Sequence, residues 1–262
     1  MTLIARDLHL RLGGRAVLHG IDLTAEAGQI TAIIGPNGSG KTSLMRLLTG
    51  ETAPDAGQVA LNGQDIAALP AVALARIRAV LPQASPLSFP FTAAEVVRIG
   101  AETIGPATPA RIEAALARVD LPGYGPRLYQ QLSGGEQQRV QLARVLSQVW
   151  EPDGRWLFLD EPVSSLDIAH QLTVMRLARG FATAGGGIVV VMHDLNLTAM
   201  FADHVVLMQL GRVLASGSVA EVLTSAHLST AYGCDLRVGV APDPPVFVLP
   251  QVVGIVSPPS VT

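Results

Sequence analysis

A glycine-rich segment, GPNGSGKT, separates the apolar run Ile30–Ile34 from the helical pattern Ser43–Leu48. A strand before the loop and a helix after it are the context that such a loop needs in order to bind phosphate. Three glycines, Gly35, Gly38 and Gly40, allow backbone N–H groups to approach an anion closely. We predict that the whole segment, here called the phosphate loop, binds a nucleotide through Gly35, Pro36, Asn37, Gly38, Ser39, Gly40, Lys41 and Thr42.

Lys41 is the only lysine in a sequence that contains seventeen arginines. A compact ammonium fits beside phosphate oxygens where a forked guanidinium would crowd them. The position of this lysine therefore favours nucleotide binding over a chance glycine-rich turn. We expect Lys41 to contact the β- and γ-phosphates and the Thr42 hydroxyl to bind Mg²⁺.

Two acidic residues end a second apolar run, WLFLDE, which begins at Trp156. A strand buried on both faces would present Asp160 and Glu161 at its carboxyl end, where α/β folds bind their ligands. We predict that Asp160 belongs to the Mg²⁺ shell and that Glu161 polarises the water that attacks the γ-phosphate. Without the phosphate loop, two solvated acids at a strand end would be the better interpretation.

Two further polar residues follow apolar runs. Gln83 precedes a helical segment, and its amide could contact Mg²⁺ or the attacking water. His193 follows the predicted strand Ile188–Met192. A lone histidine at a strand end is more often structural than catalytic, but beside the two acids we expect His193 to contact the γ-phosphate.

A second segment suited to phosphate, LSGGEQQR, begins at Leu132 and is here called the signature segment. Ser133 and Glu136 have the spacing of a capping box at a helix N-terminus. An ordinary capped helix does not explain Gly134 and Gly135, which weaken a first turn. Because the segment lies away from the edge that carries the phosphate loop, we expect two copies of the chain to pack head to tail. Ser133 and Gly135 of each copy would then cover the ATP bound to the other.

Strand and helix patterns alternate along most of the chain. Runs that predict strands occur at 3–12, 16–24, 29–34, 58–61, 156–159 and 188–192. Helical patterns begin at Thr92, Thr108, Ser133, Ile168 and Leu195. Such alternation is typical of an α/β fold whose mostly parallel sheet is covered on both faces.

The same patterns divide the chain into three regions. Residues 1–82 and 150–225 form the predicted core, and the helical residues 83–149 are inserted between its two portions. Residues 226–262 form a Pro-rich C-terminal extension. Within it we predict a hairpin of two strands, Leu236–Val240 and Val246–Leu249.

Composition excludes several classes of protein. The net charge of −3 and the 15% of charged residues do not suit a nucleic-acid partner. The single cysteine, Cys234, excludes an internal disulfide and suits a reducing compartment. Mean hydropathy is high at +0.39, yet no uncharged apolar run has the length of a membrane span. We expect a soluble chain without a signal peptide that can dock on a membrane protein.

In their order along the chain, these motifs resemble those of the ATP-binding cassette (ABC) ATPases. The phosphate loop resembles the Walker A loop, Gln83 the Q-loop, LSGGEQQR the signature, WLFLDEP the Walker B strand and His193 the switch histidine. Ser165-Leu-Asp167 resembles the D-loop, which implies a nucleotide contact for Asp167. Where the family usually stacks an aromatic ring on adenine, this chain has Leu12, which lacks the aromatic stacking contribution.

The resemblance implies a P-loop NTPase (RecA-like) core with an antiparallel β edge and an inserted α-helical subdomain. It implies ATP and Mg²⁺ as ligands, and a working unit of two cassettes on two permease subunits. The chain would then be a peripheral protein at the cytoplasmic face of the bacterial inner membrane. We expect the segment Ala84–Phe91 to lie at the permease contact.

Longer segments are similar to the ATPase subunits of bacterial importers for haem, ferric siderophores and vitamin B12. These are RAVLPQASPLSFPFTAAEVVRIG, QQRVQLARVLSQVW, SSLDIAHQ and HDLNLTAMFADHVVLMQLGRVLASGSVAEVLT. The phrases ARVLSQVW and LDIAHQ most resemble the haemin-import ATPases. Haem is therefore the expected cargo, with a periplasmic haem-binding protein as an indirect partner, and a ferric siderophore or cobalamin is the alternative. A non-transport ABC regulator is less favoured, because a single acidic cassette lacks a second linked cassette, a coiled coil and basic extensions.

Overall fold

The computed structural model describes residues 1–83 and 89–241. Their strands are β1 (Thr2–Leu12), β2 (Arg15–Glu26), β3 (Ile30–Ile34), β4 (Ala56–Leu61), β5 (Gln64–Asp65), β6 (Arg78–Leu81), β7 (Trp156–Asp160), β8 (Gly187–Val191), β9 (His204–Gln209) and β10 (Arg212–Ser218). Their helices are α1 (Lys41–Leu48), α2 (Ala71–Ile77), α3 (Ala93–Ala101), α4 (Pro109–Arg118), α5 (Gly134–Gln148), α6 (Ile168–Thr183), α7 (Leu195–Phe201), α8 (Val219–Val222) and α9 (Ser225–Tyr232). Within these residues, no helix combines the length and the apolar character that crossing a bilayer requires.

The larger sheet has six strands in the order β10-β9-β3-β8-β7-β6. The strands from β9 to β6 are parallel, and β10 pairs with β9 antiparallel. Every residue of β3, β7 and β8 is buried, which explains their continuous apolar sequences. Because these strands are parallel, their carboxyl ends share one edge. Four features lie at this edge: the phosphate loop after β3, Gln83 after β6, Glu161 after β7 and His193 after β8.

The smaller sheet is antiparallel, in the order β2-β1-β4-β5. It packs with α1 and α2 against one face of the larger sheet, and the helices from α3 to α9 contribute to a second core on the other face. Strand β8 shows the division, since Val189 and Val191 belong to the first core and Ile188 and Val190 to the second. This alternation is the two-residue period of a strand covered on both faces.

The inserted helices are capped as the sequence predicts. The Thr92 hydroxyl accepts a hydrogen bond from the Glu95 N–H at 3.2 Å, the Glu95 carboxylate accepts one from the Thr92 N–H at 2.7 Å, and Thr108 caps α4. Helix α5 also joins this segment to the larger sheet, because the Gln148 side-chain amide donates to the Arg78 carbonyl of β6 at 2.9 Å. Motion of α5 is therefore coupled to the edge of that sheet.

The predicted fold class is confirmed: an α/β core with a mostly parallel sheet, an antiparallel second sheet and inserted helices. The predicted strand Leu236–Val240 is wrong. The N–H groups of Leu236 and Val238 donate to serine hydroxyls of α9, at 2.9 Å each, so these residues follow the helix instead of pairing as a strand. The predicted partner strand, Val246–Leu249, lies outside the described residues.

Candidate active site

The phosphate loop runs from the end of β3 to the first turn of α1. Gly35 has φ +142°, and a Cβ there would lie 2.2 Å from the Met208 carbonyl oxygen. Gly40 precedes α1 with φ +101°, and a Cβ there would lie 2.7 Å from the Leu18 side chain. Any larger residue would therefore displace the loop from β9 or β2. Because its N-cap residue is Gly40, which has no side chain, the N-terminus of α1 has no side-chain cap, and its backbone N–H groups can bind an anion.

Lys41 folds back over this loop. Its Nζ donates to the carbonyl oxygens of Gly35 at 2.8 Å and Pro36 at 3.0 Å. Burial lowers the pKa of Lys41, while the negative charges of Glu161 and Asp160 act in the opposite direction. The ammonium is thus held over the phosphate loop by two carbonyl oxygens, which phosphate oxygens can replace.

A cleft of about 570 Å³ opens beside the loop. It is lined by Val17, Asn37, Gly38, Gly40, Lys41, Thr42, Ser43, Gln83, Glu161 and His193. The cleft therefore brings five of the eight predicted phosphate-loop residues together with the three predicted catalytic residues. Val17 and Ser43 were not identified from the sequence, although Ser43 directly follows the loop. Leu12, which lies outside this lining, is 49% exposed.

The three predicted catalytic side chains form one hydrogen-bonded group. Gln83 Nε2 donates to Glu161 Oε2 at 2.9 Å, and His193 Nε2 lies 2.5 Å from Glu161 Oε1. The Glu161 side chain is 13% exposed, compared with 42% for His193. Each oxygen of the carboxylate therefore has a partner, and the group faces the cleft from three neighbouring strand ends.

The backbone of Glu161 is also unusual. Its φ is +52°, a left-handed conformation that few residues other than glycine adopt. The N–H of Glu161 donates to the Val191 carbonyl at 3.2 Å, and its own carbonyl accepts from Gln138 Nε2 at 3.3 Å and from the Ser164 hydroxyl at 3.2 Å. Sequence reasoning missed Gln138, because nothing local marks a residue inside α5 as a partner of β7.

Asp160 and Thr42 provide the oxygens that suit a metal ion. Burial raises the pKa of Asp160, the neighbouring Glu161 charge raises it further, and Lys41 and a hydrogen bond from Thr42 oppose the shift. One carboxylate oxygen, Asp160 Oδ1, is buried and has no hydrogen-bond partner among the described residues. Such an oxygen fits a cation.

The donor set fits Mg²⁺, which binds through one or two protein oxygens together with substrate phosphates and water. The described residues contain no group of three or more His, Cys, Asp or Glu residues that could by itself hold a metal ion. Gln83 donates its amide nitrogen to Glu161, so only its carbonyl oxygen would be available to a metal.

The signature segment begins α5 with a complete capping box. The Ser133 hydroxyl accepts from the Glu136 N–H at 3.3 Å, and the Glu136 carboxylate accepts from the Ser133 N–H and from the Tyr124 hydroxyl, at 2.8 Å each. These hydrogen bonds, first the Ser133 N–H, lower the pKa of Glu136 to about 2. None of Ser133, Gly134 and Gly135 lines the cleft. The two phosphate-binding candidates of one chain are therefore separate.

Asp167, the predicted D-loop contact, begins α6. Its carboxylate accepts from the His170 N–H at 2.9 Å and lies 2.8 Å from the His170 ring nitrogen. The backbone hydrogen bond lowers the pKa of Asp167. Asp167 does not line the cleft.

Comparison with known proteins supports the same family. A model of the ABC transporter family matches residues 18–164. The chain is 59% identical over 246 residues to the Hemin import ATP-binding protein HmuV of Jannaschia sp. (strain CCS1), covering 92% of this chain and 90% of that protein. It is 57% identical over 257 residues to the protein of the same name from Ruegeria sp. (strain TM1040), covering 96% and 98%.

Solved structures show the same fold. An ATP-binding subunit of an ABC transporter superposes with a TM-score of 0.76 at 24% identity, covering 90% of this chain and 95% of that one. A bacterial Atm1-family ABC exporter with ATP bound gives 0.75 at 28% identity, covering 85% of this chain and 39% of that one. The family match, the close relatives and the phosphate loop at the strand ends agree: this chain belongs to the ABC transporter family, among its ATP-binding chains.

Proposed function

We propose that this chain is the ATP-hydrolysing subunit of an importer that carries haem across the bacterial inner membrane. The observation that supports hydrolysis most directly is the Glu161 carboxylate, held by both Gln83 and His193 beside the phosphate loop. The names of its close relatives support the cargo.

Binding of ATP begins at the phosphate loop. The ammonium of Lys41 leaves the carbonyl oxygens of Gly35 and Pro36 and binds the β- and γ-phosphate oxygens. The uncapped N-terminus of α1 and the loop N–H groups surround the β-phosphate. Thr42 and Asp160 would hold Mg²⁺, which would neutralise charge on the phosphates.

Hydrolysis then depends on Glu161. A water oxygen attacks the γ-phosphorus, the bond from that phosphorus to the β–γ bridging oxygen breaks, and the water proton passes to the Glu161 carboxylate. Gln83 and His193 orient that carboxylate, and His193 is exposed enough to donate to a γ-phosphate oxygen. Products are ADP and inorganic phosphate.

A second copy of the chain completes the site. Ser133, Gly134 and Gly135 lie outside the cleft of their own chain, so they are available to cover ATP bound to a partner. Asp167 would contribute from a different loop, the one between β7 and α6. The γ-phosphate gains contacts that ADP lacks, and this difference in affinity closes the dimer. Loss of phosphate opens it.

The dimer would act on two permease subunits, at the cytoplasmic face of the inner membrane. The predicted contact segment Ala84–Phe91 is described only from residue 89 onward. Phe89 is 69% exposed and packs edge-on to Phe91. The exposed Leu128 forms an isolated antiparallel bridge with Thr92, the residue that follows this segment. Exposed apolar side chains of this kind suit a protein contact. A periplasmic haem-binding protein would deliver cargo to the other side of the permease.

Transport of haem tests the cargo directly. The chain, its neighbouring permease and its periplasmic binding protein are reconstituted in liposomes, with ATP on the side of this chain. We expect ATP-dependent haem uptake that stops when Glu161→Gln replaces the wild type. Uptake of a ferric siderophore or of cobalamin in place of haem would contradict the cargo, whereas ATP hydrolysis without transport of any of the three would contradict the importer assignment.

A further inference from the structure

Two side-chain amides from opposite ends of the inserted segment meet at Glu161. Gln83, at the start of the segment, donates to the carboxylate at 2.9 Å. Gln138, near its end, donates to the main-chain carbonyl of the same residue at 3.3 Å. The helical segment therefore holds both the side chain and the backbone of the proposed catalytic base.

The backbone contact matters because Glu161 is in a left-handed conformation, with φ +52°. Such a conformation costs roughly 1–3 kcal/mol and persists only where surrounding contacts hold it. The Glu161 carbonyl is held from one side by Ser164, three residues along its own loop, and from the other by Gln138. Ser164 belongs to the loop that contains Glu161, whereas Gln138 belongs to helix α5.

Gln138 is less well satisfied than a purely structural residue. Its side-chain oxygen, Oε1, is buried, and no hydrogen-bond donor contacts it within residues 1–83 and 89–241. A buried acceptor without a partner is destabilising, so stability by itself does not account for glutamine at this position. The neighbouring Gln137, by contrast, donates to two carbonyls that close the turn before α5.

The position of Gln138 in α5 links it to the signature segment. Ser133 caps this 15-residue helix, and five residues along a helix correspond to a rise of about 7.5 Å. Gly135, between them, lies against the loop after Glu161, since a Cβ there would be 3.3 Å from the Leu166 side chain. Any displacement of the α5 N-terminus therefore moves the Gln138 amide relative to the Glu161 carbonyl.

We propose that Gln138 is a positioning residue that couples the placement of α5 to the orientation of Glu161. When Ser133 and Gly135 engage the γ-phosphate on a partner chain, α5 shifts, and Gln138 sets the Glu161 peptide so that the carboxylate faces the attacking water. The inference rests on the proposed function, in which Glu161 is the base and the signature segment acts on a second copy.

The test compares two glutamine-to-leucine variants of the chain. Gln138→Leu removes the donor to Glu161, and Gln171→Leu is its matched control, because the Gln171 amide on α6 donates to the Val163 carbonyl of the same loop at 3.2 Å. We expect Gln138→Leu to lower kcat about 10- to 100-fold, with the KM for ATP changed less than about twofold. Gln171→Leu should lower kcat much less at a comparable loss of thermal stability.

A second comparison uses the background of Glu161→Gln. If Gln138 acts through Glu161, adding Gln138→Leu to Glu161→Gln lowers the residual rate by less than about twofold, because contacting residues are non-additive. ATP-driven dimerisation of the double variant should match that of Glu161→Gln alone.

Three results would overturn the role of Gln138. They are a wild-type kcat in Gln138→Leu, a raised KM with unchanged kcat, and equal losses of kcat in Gln138→Leu and Gln171→Leu. The proposed function fails on a different result, a wild-type rate in Glu161→Gln alone, whatever the Gln138 variant does.

Discussion

The imidazole of His193 lies 2.5 Å from the carboxylate of Glu161, although the two residues are 32 positions apart in the chain. They meet because β7 and β8 are parallel neighbours, so that residues following the two strands share one edge of the sheet. A carboxylate held on one side by an imidazole and on the other by the Gln83 amide is oriented before any nucleotide binds. The predictions below depend on this arrangement and on the separation of the two phosphate-binding segments.

Replacement of Glu161 by glutamine should abolish hydrolysis while preserving ATP binding. The amide keeps the size of the side chain but cannot accept the water proton, and a general base contributes about 10²- to 10⁴-fold to the rate. The variant should accumulate as a closed dimer with ATP, measured by size-exclusion chromatography with light scattering. ADP in place of ATP serves as the control and should leave it monomeric. Wild-type turnover by the purified variant would show that the base has been assigned incorrectly.

Ser133→Arg should damage the site of the partner chain. Dimers of two differently tagged copies are purified in two combinations. In the first, one copy carries both Ser133→Arg and Lys41→Met and the other copy is wild type. In the second, one copy carries Ser133→Arg and the other carries Lys41→Met. With both changes on one chain, both composite sites lose function; with one change on each chain, the two faults fall on one site and the other stays intact. Higher hydrolysis in the second combination is therefore expected. The opposite order would mean that each chain uses its own signature segment.

Asp160→Asn should stabilise the nucleotide-free protein and weaken its response to Mg²⁺-ATP. Burial raises the pKa of Asp160 above its ordinary value of 3.8. The folded chain therefore favours the protonated carboxyl, and the free energy of unfolding decreases as pH rises above that value and the carboxyl ionises. We expect the Tm of the variant without nucleotide to rise by a few degrees at pH 7. The increase in Tm on adding Mg²⁺-ATP should become smaller than in the wild type. A lower Tm without nucleotide would contradict the cost assigned to this buried charge.

The capping box of α5 should make stability depend on acid pH. The pKa of Glu136 is lowered from 4.5 to about 2 in the folded chain, so the unfolded chain binds more protons between these values and stability rises with pH across them. The stabilisation is present above about pH 4.5 and is lost as pH falls towards 2. In urea unfolding followed by circular dichroism, Glu136→Gln should flatten this part of the pH profile. Hydrogen bonds from Ser218 also lower the pKa of Glu221, so Glu221→Gln should flatten the profile as well and provides a comparison away from the site. An unchanged profile for Glu136→Gln would argue against the lowered pKa.

The sequence by itself determined the phosphate loop, the strand that ends in Asp160 and Glu161, and the capping box at Ser133. Each of these is a contiguous signal, because a turn, a strand end or a helix cap is set by neighbouring residues. It also indicated the fold class, since long apolar strands alternating with capped helices admit few other arrangements. The ABC family resemblance rested on the order of these local signals and is confirmed by the family match and the close relatives.

Only the tertiary structure decided which side chains meet. Gln83 and Glu161 are 78 positions apart and share a hydrogen bond because β6 is the neighbour of β7. Gln138 reaches the Glu161 carbonyl because α5 packs beside that loop, and the strand predicted at Leu236–Val240 is absent because serine hydroxyls of α9 bind its backbone. Strand order and helix packing are set by the burial of whole faces. No local pattern therefore records which distant residues those faces bring into contact.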